Sequence, residues 1–276
     1  MFLITAATGN VGRALVDRLY AAGADVRAVT RNPAAAGLPP GVETVSAPAG
    51  QFPLDGVATV FLNAAAVPGT AEQFLSRAVA HGVRRIVLLS SSSVLDDHPD
   101  NHTGTAHREL ERHIEKTGLE WVFLRSGMFA TNTMWWAPLI RTHGVVRAAY
   151  AEARIAPIHE QDLAAAAAAA MLEDSLAGTA PVLTGPELIS QAGQAELIGE
   201  ALGQPVRFEE VSPAIGHRLL TEQHTPSHIA DSLLRYYHRA ILHPIEPTPI
   251  STILPSEQPR TYRQWIHDHR ADFAAP

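Results

Sequence analysis

The residues best suited to chemistry stand at the front of the chain. There Ala6-Ala7-Thr8-Gly9-Asn10-Val11-Gly12 follows the short apolar run Phe2-Leu3-Ile4-Thr5. Val11, Leu15, Val16 and Leu19 then recur at helical spacing. Strand, small-residue bend and helix, in that order, suit a dinucleotide pyrophosphate. The small residues admit phosphates to the backbone, and the helix start presents free N–H groups and the positive end of its dipole. Gly9 and Gly12 keep the spacing of the fingerprint, but Ala6 stands where a full motif has its first glycine. Its methyl group is tolerable if φ at Ala6 stays negative. Arg31 lies nineteen residues past Gly12, at the tip of Asp25-Val26-Arg27-Ala28-Val29-Thr30. An acid at this tip would hold the ribose hydroxyl of NAD, whereas a guanidinium accepts the 2′-phosphate of NADP. Ala6, Thr8, Gly9, Asn10, Val11, Gly12 and Arg31 are therefore expected to bind NADP(H). The alternative for Arg31 is a solvated side chain before the turn at Asn32-Pro33.

Such a site needs a sheet to position it. Short apolar runs at 42–45, 58–62, 85–89 and 120–124 read as further strands, with helices over 70–81 and 105–117 between them. Strands alternating with helices predict an α/β fold of Rossmann type, a doubly wound parallel sheet. Ligands lie at the carboxyl ends of such strands, so Asn63, Ala64, Ala65 and Ser90 join the expected cofactor contacts. The pattern loosens after Gly127. The reading is a cofactor domain over 1–130 and a smaller α/β substrate lobe over 131–276, with the chain crossing between the two. An alanine-rich helix follows Asp162, its expected N-cap; Ser190 caps a helix to 202, and helices are expected over 227–242 and 262–273. Phe129, Trp135 and Trp136 follow the sixth strand and are expected to line a pocket for a flat apolar substrate, the alternative being core.

Composition narrows the class. With 276 residues, 46% hydrophobic and 18% charged, the chain can build a large core. A net charge of −7 gives no reason to expect a nucleic-acid partner. The longest apolar run, 163–172, falls well short of the ~20 residues that span a bilayer, and no signal peptide is visible, so a cytoplasmic location without membrane attachment is expected. The chain has no cysteine, which removes thiol catalysis and thiolate metal sites. His107 and Glu111, with His98 and His102 nearby, have helical metal-pair spacing, but no metal site is expected there.

The bend, Thr30-Arg31-Asn32-Pro33, the stretches His107-Arg108-Glu109-Leu110-Glu111 and Leu124-Arg125-Ser126-Gly127-Met128-Phe129 through Asn132, and Asp162-Leu163 with Leu183-Thr184-Gly185-Pro186-Glu187 carry a resemblance. On them the chain resembles the NmrA-like group of atypical short-chain dehydrogenase/reductases, within it the NADPH-dependent quinone reductases. The likeness spans most of the chain up to Val211; the stretch from Ser212 matches nothing in that pattern. Ordinary short-chain dehydrogenases use Tyr-x-x-x-Lys, in which lysine lowers the phenol pKa. None of Tyr20, Tyr150, Tyr236, Tyr237 or Tyr262 has lysine four residues on, and Lys116 is the one lysine. The resemblance then puts His107 where many relatives carry the active lysine, and Ser92 where extended relatives hold a substrate carbonyl. Both are the expected catalytic candidates, the alternatives being an exposed helix histidine and a polar loop. The first reading is hydride transfer from NADPH to a small aromatic or conjugated carbonyl such as a quinone. The resemblance also allows an NADP(H)-binding redox sensor without turnover, or a tailoring reductase of secondary metabolism. A small-molecule substrate is expected, and pairing with a second copy or a regulatory protein stays open.

Overall fold

The computed structural model describes residues 1–274. In chain order the strands are β1 (Phe2–Ile4), β2 (Val26–Val29), β3 (Glu43–Val45), β4 (Thr59–Asn63), β5 (Arg85–Ser91), β6 (Glu120–Ser126), β7 (Val145–Ala148), β8 (Arg154–Ile155), β9 (Val182–Leu183), β10 (Ile189–Ser190) and β11 (Arg207–Glu210). The α-helices are α1 (Asn10–Ala21), α2 (Ala71–Ala80), α3 (His102–Glu115), α4 (Ala137–His143), α5 (Glu160–Leu172), α6 (Gln191–Leu202), α7 (Pro213–Glu222), α8 (Ser227–Leu242), α9 (Tyr262–Asp268) and α10 (Arg270–Phe273). The chain divides into two compact units. The first comprises Met1–Asp96, Gly104–Ser126 and Glu160–Val182; the second comprises Asp97–Thr103, Gly127–His159 and Leu183–Pro276.

The sheet runs β3-β2-β1-β4-β5-β6-β9. The pairs from β3 to β6 are parallel. This is the doubly wound order expected, extended by one edge strand. Strand order reverses between β1 and β4, which opens a crevice at their carboxyl ends. Central strands buried on both faces read as continuous apolar runs, and Val60, Phe61, Leu62, Ile86, Val87 and Leu88 are essentially inaccessible. On one face Phe74 and Leu75 of α2 and Leu110 and Ile114 of α3 complete the core.

The sequence reading divides the chain once, at 130, whereas the contacts group 160–182 with the first unit. The cause is α5, whose alanines are buried on every side and which packs against α1 and strands β4 to β6. Arg85 ties its end down. Fully buried, it donates to the carbonyls of Ala170 and Glu173, where a cation suits the helix C-terminus, and pairs with Glu120 and Asp174. Asp162 is not the cap expected of it: α5 begins at Glu160 and leaves Asp162 buried in its first turn.

In the second unit β7 pairs parallel with β11, and β8 pairs antiparallel with β10. The core gathers Ala130, Ile140, Val146, Ile198, Trp265 and Phe273. Trp265 is inaccessible and stacks on Tyr262 at 5.5 Å between centroids. Ser190 caps α6 by accepting from the Gly193 N–H, as expected, and a capping box of Thr261 and Gln264 starts α9. The terminal helix expected over 262–273 breaks at His269 into α9 and α10. The reading also lacked α7, whose signal is Ser212-Pro213: the Ser212 hydroxyl caps the helix and proline occupies its first turn.

Candidate active site

The β1–α1 bend is held from three sides. The Ala7 N–H donates to the Val29 carbonyl at 3.1 Å, the Gly9 N–H to the Ala6 carbonyl at 2.9 Å, and the Thr8 and Thr30 hydroxyls meet at 3.0 Å. Ala6 has φ +50°, in the left-handed region, so the condition set on its methyl group is not met. The turn needs a left-handed residue, and these bonds hold alanine there against a strain of about 1–2 kcal/mol. The contact that fixes Gly12 is harder: a Cβ on it would lie 2.2 Å from the Ala6 carbonyl oxygen. Helix α1 therefore starts against the bend, and Gly9, its N-cap, supplies no side chain to occupy the helix start. Thr8, Gly9 and Asn10 are exposed, while Val11 faces the core.

Arg31 follows β2, exposed and without an ion pair among the described residues. Arg13 of α1 donates to the carbonyls of Ala36 at 2.7 Å and Gly37 at 3.0 Å, anchoring the loop that follows Arg31. Across the crevice the Thr5 hydroxyl donates to the Phe61 carbonyl and accepts from the Asn63 N–H at 2.8 Å. The Asn63 side chain then accepts from the Ala65 N–H at 2.9 Å, which turns Ala64 and Ala65 away from the end of β4. The structure thus brings together the bend and Asn63, Ala64 and Ala65 at the point where strand order reverses.

Ser90 and His107 belong to a second group in this unit. The Ser90 hydroxyl donates to Glu111 Oε1 at 2.7 Å. Arg125 clamps the same carboxylate, Nε to Oε1 at 3.0 Å and a terminal nitrogen to Oε2 at 2.8 Å. Glu111 is the acid that Arg125 pairs with. A carboxylate on the inward face of a helix, between Leu110 and Ile114, is the signal that could have found it. One turn before Glu111, His107 Nδ1 is buried and has no hydrogen-bond partner among the described residues. Burial lowers the pKa of His107 below the ordinary imidazole value, and Glu111 offsets part of that shift. His107 is accordingly a neutral imidazole at pH 7. Ser92 is buried in the 3-10 turn that follows β5.

In the second unit Trp135 and Trp136 line one cleft, but Phe129 is not part of its wall. Phe129 instead bridges to Ile158, so the aromatic group expected from spacing is divided.

These residues fit a phosphorylated dinucleotide. The bend has no room for another Cβ at Gly12, Arg31 holds no ion pair among the described residues, and His107 carries a buried nitrogen that has no hydrogen-bond partner among them. Comparison with known proteins gives the family. A family model described as NAD(P)H-binding matches residues 6–174. The chain is 34% identical over 284 residues to a (4-alkanoyl-5-oxo-2,5-dihydrofuran-3-yl)methyl phosphate reductase of Streptomyces griseus, with 99% of each chain covered. It is 26% identical to an NAD(P)H azoreductase of Xenophilus azovorans over the whole of both chains. Among solved structures, an NADPH-dependent quinone oxidoreductase of Escherichia coli complexed with NADPH shares the fold, with TM-score 0.82, 24% identity and coverage of 98% and 99%.

Proposed function

The chain belongs to the NAD(P)H-binding family of NmrA-like, atypical short-chain reductases and is an NAD(P)H-dependent oxidoreductase; from that premise we propose that it prefers NADPH and reduces an acceptor carbon conjugated to carbonyl groups. When bound, the reduced nicotinamide supplies the hydride. Backbone N–H groups of the bend and the start of α1 would hold the pyrophosphate. The Arg31 guanidinium would take the 2′-phosphate, and Thr30 beside it adds no opposing charge. Asn63, Ala64 and Ala65 leave the crevice open to the rest of the cofactor.

The observation that carries the acceptor class is the missing Tyr-x-x-x-Lys pair. Without a lowered phenol, the electron pair arriving with hydride is best received by an acceptor that delocalises it unaided. A quinone does so. So does the substrate in the name of the S. griseus relative, whose ring double bond carries both an alkanoyl and a lactone carbonyl. The neutral His107 can then donate one hydrogen bond to a developing oxyanion, or to the cofactor, without itself carrying charge. Ser92 is the second donor we assign to this step. Ser90 we assign to positioning, because its proton goes to Glu111.

The test is NADPH oxidation, followed at the nicotinamide absorbance, with 1,4-benzoquinone and 3-acyl butenolides. We expect turnover with both and slower turnover with simple ketones. Binding of NADPH without oxidation by any acceptor would replace the enzyme with a sensor. The pH profile reads His107. Because its pKa is depressed, the neutral form persists as pH falls through 6.5, so kcat/KM should stay level there. In His107→Gln, kcat should fall about tenfold or more with little change in KM for NADPH. A wild-type limb near the ordinary imidazole value would mean that His107 is solvated.

A further inference from the structure

Arg31 sits on a short arm of the first unit that is fastened at both ends. On the β2 side the Thr30 N–H donates to the Val45 carbonyl at 3.0 Å, and the Thr30 hydroxyl meets that of Thr8. On the other side Pro33 opens a 3-10 turn over Pro33–Ala35, which the Ala36 N–H closes onto the Pro33 carbonyl at 3.2 Å. Between the two, Asn32 has φ −133° and ψ 87°, outside the helical region that a following proline disfavours. Arg31 and Asn32 are exposed, whereas the Ala36 side chain is buried. The polar part of the second fastening comes from α1, where the half-buried Arg13 donates through its two terminal nitrogens to the carbonyls of Ala36 and Gly37.

The placement of Arg13 is costly for its own helix. It lies in the first turn of α1, one residue after Gly12, at the positive end of the helix dipole. No acid in that turn offsets the charge. What the side chain does there is take two carbonyls at once, which a planar fork can do and an ammonium cannot. We propose that Arg13 is a positioning residue for cofactor choice: by clamping the turn that follows Arg31, it orders the arm in advance, so the Arg31 guanidinium meets the 2′-phosphate on a backbone already in place. This rests on the preference for NADPH proposed above. Without the clamp the arm is ordered only on binding, and that ordering subtracts from affinity. NADH carries no 2′-phosphate for Arg31 to hold, so the loss falls on NADPH.

Fluorescence titration of the full chain with NADPH and NADH tests the clamp. Arg13→Ala should weaken NADPH about tenfold and leave NADH within about twofold. Equal loss for both cofactors overturns the proposal. Arg13→Lys keeps the charge but cannot bridge two carbonyls, and it should weaken NADPH nearly as much. Wild-type affinity in that variant would mean that charge alone matters, and it too overturns the clamp. In an Arg31→Ala background, Arg13→Ala should change NADPH affinity by less than about twofold, because the residue it positions is gone. A further loss of about tenfold there would make Arg13 an independent contact and overturn the positioning role. Hydrogen exchange without cofactor supplies a second readout: the amides of 34–37 should exchange about tenfold faster in Arg13→Ala, and unchanged exchange overturns the clamp. Thermal unfolding checks that each variant is folded. Wild-type NADPH affinity in Arg31→Ala overturns the cofactor preference itself. Affinity lost in Arg31→Ala but kept in Arg13→Ala overturns only the role of Arg13.

Discussion

The first unit presents backbone at its candidate site, through Ala6, Gly9 and Gly12, whereas the cleft in the second presents side chains, through Trp135, Trp136, four leucines and Arg147. The difference lies in what each surface tolerates. A pyrophosphate is the same in every dinucleotide, and under the function proposed above it would be met by N–H groups whose approach any added carbon would block. A wall of half-buried side chains, by contrast, can be recut one residue at a time without disturbing a ladder. The price appears in the first unit as strain at Ala6 and as buried charge around Glu111, both held by neighbouring bonds.

The contrast can be broken or sharpened by substitution. Gly12→Val should have the largest effect, because its Cβ would overlap the Ala6 carbonyl. We expect loss of about 3 kcal/mol or more of stability in denaturant unfolding and no measurable NADPH binding in calorimetry. Glu111→Ala strips Arg125 and Ser90 of their shared acceptor, and about 3 kcal/mol should be lost in the same unfolding measurement. Retention of full stability would make that pair a surface contact in effect. Arg31→Ala should weaken NADPH roughly tenfold to a hundredfold and leave NADH nearly unchanged, as read by fluorescence titration of the reduced cofactor. Equal loss for both cofactors would remove its selective role. The smallest effect carries the opposite sign. Ala6→Gly relieves the left-handed strain and should stabilise by about 1 kcal/mol, even after the greater freedom glycine has when unfolded.

Much of this was legible in the chain. The strands of the first sheet and the helix Ser227–Leu242 follow from apolar spacing alone, and Arg31 stands out by distance from Gly12. Local pattern failed where the deciding contact is distant in sequence. The positive φ at Ala6 is set by Val29 and Gly9, and alanine carries no mark of it. The partner of Arg125 lies fourteen residues earlier, on a face that looks like ordinary helix. Helix α3 starts at His102, ahead of the expected 105, since its first turn is polar and shows no apolar period. The cleft escaped notice in part because Gly216, Leu219 and Leu220 of its wall come from α7, a helix with no apolar period to announce it.

The return of Glu160–Val182 to the first unit bears on how the protein is made. Residues through 126 are synthesised before the alanine helix that packs on their sheet. At about 5–20 residues per second, the wait until residue 182 lasts roughly three to ten seconds. Until then the sheet of the first unit lacks the helix that packs against β4, β5 and β6.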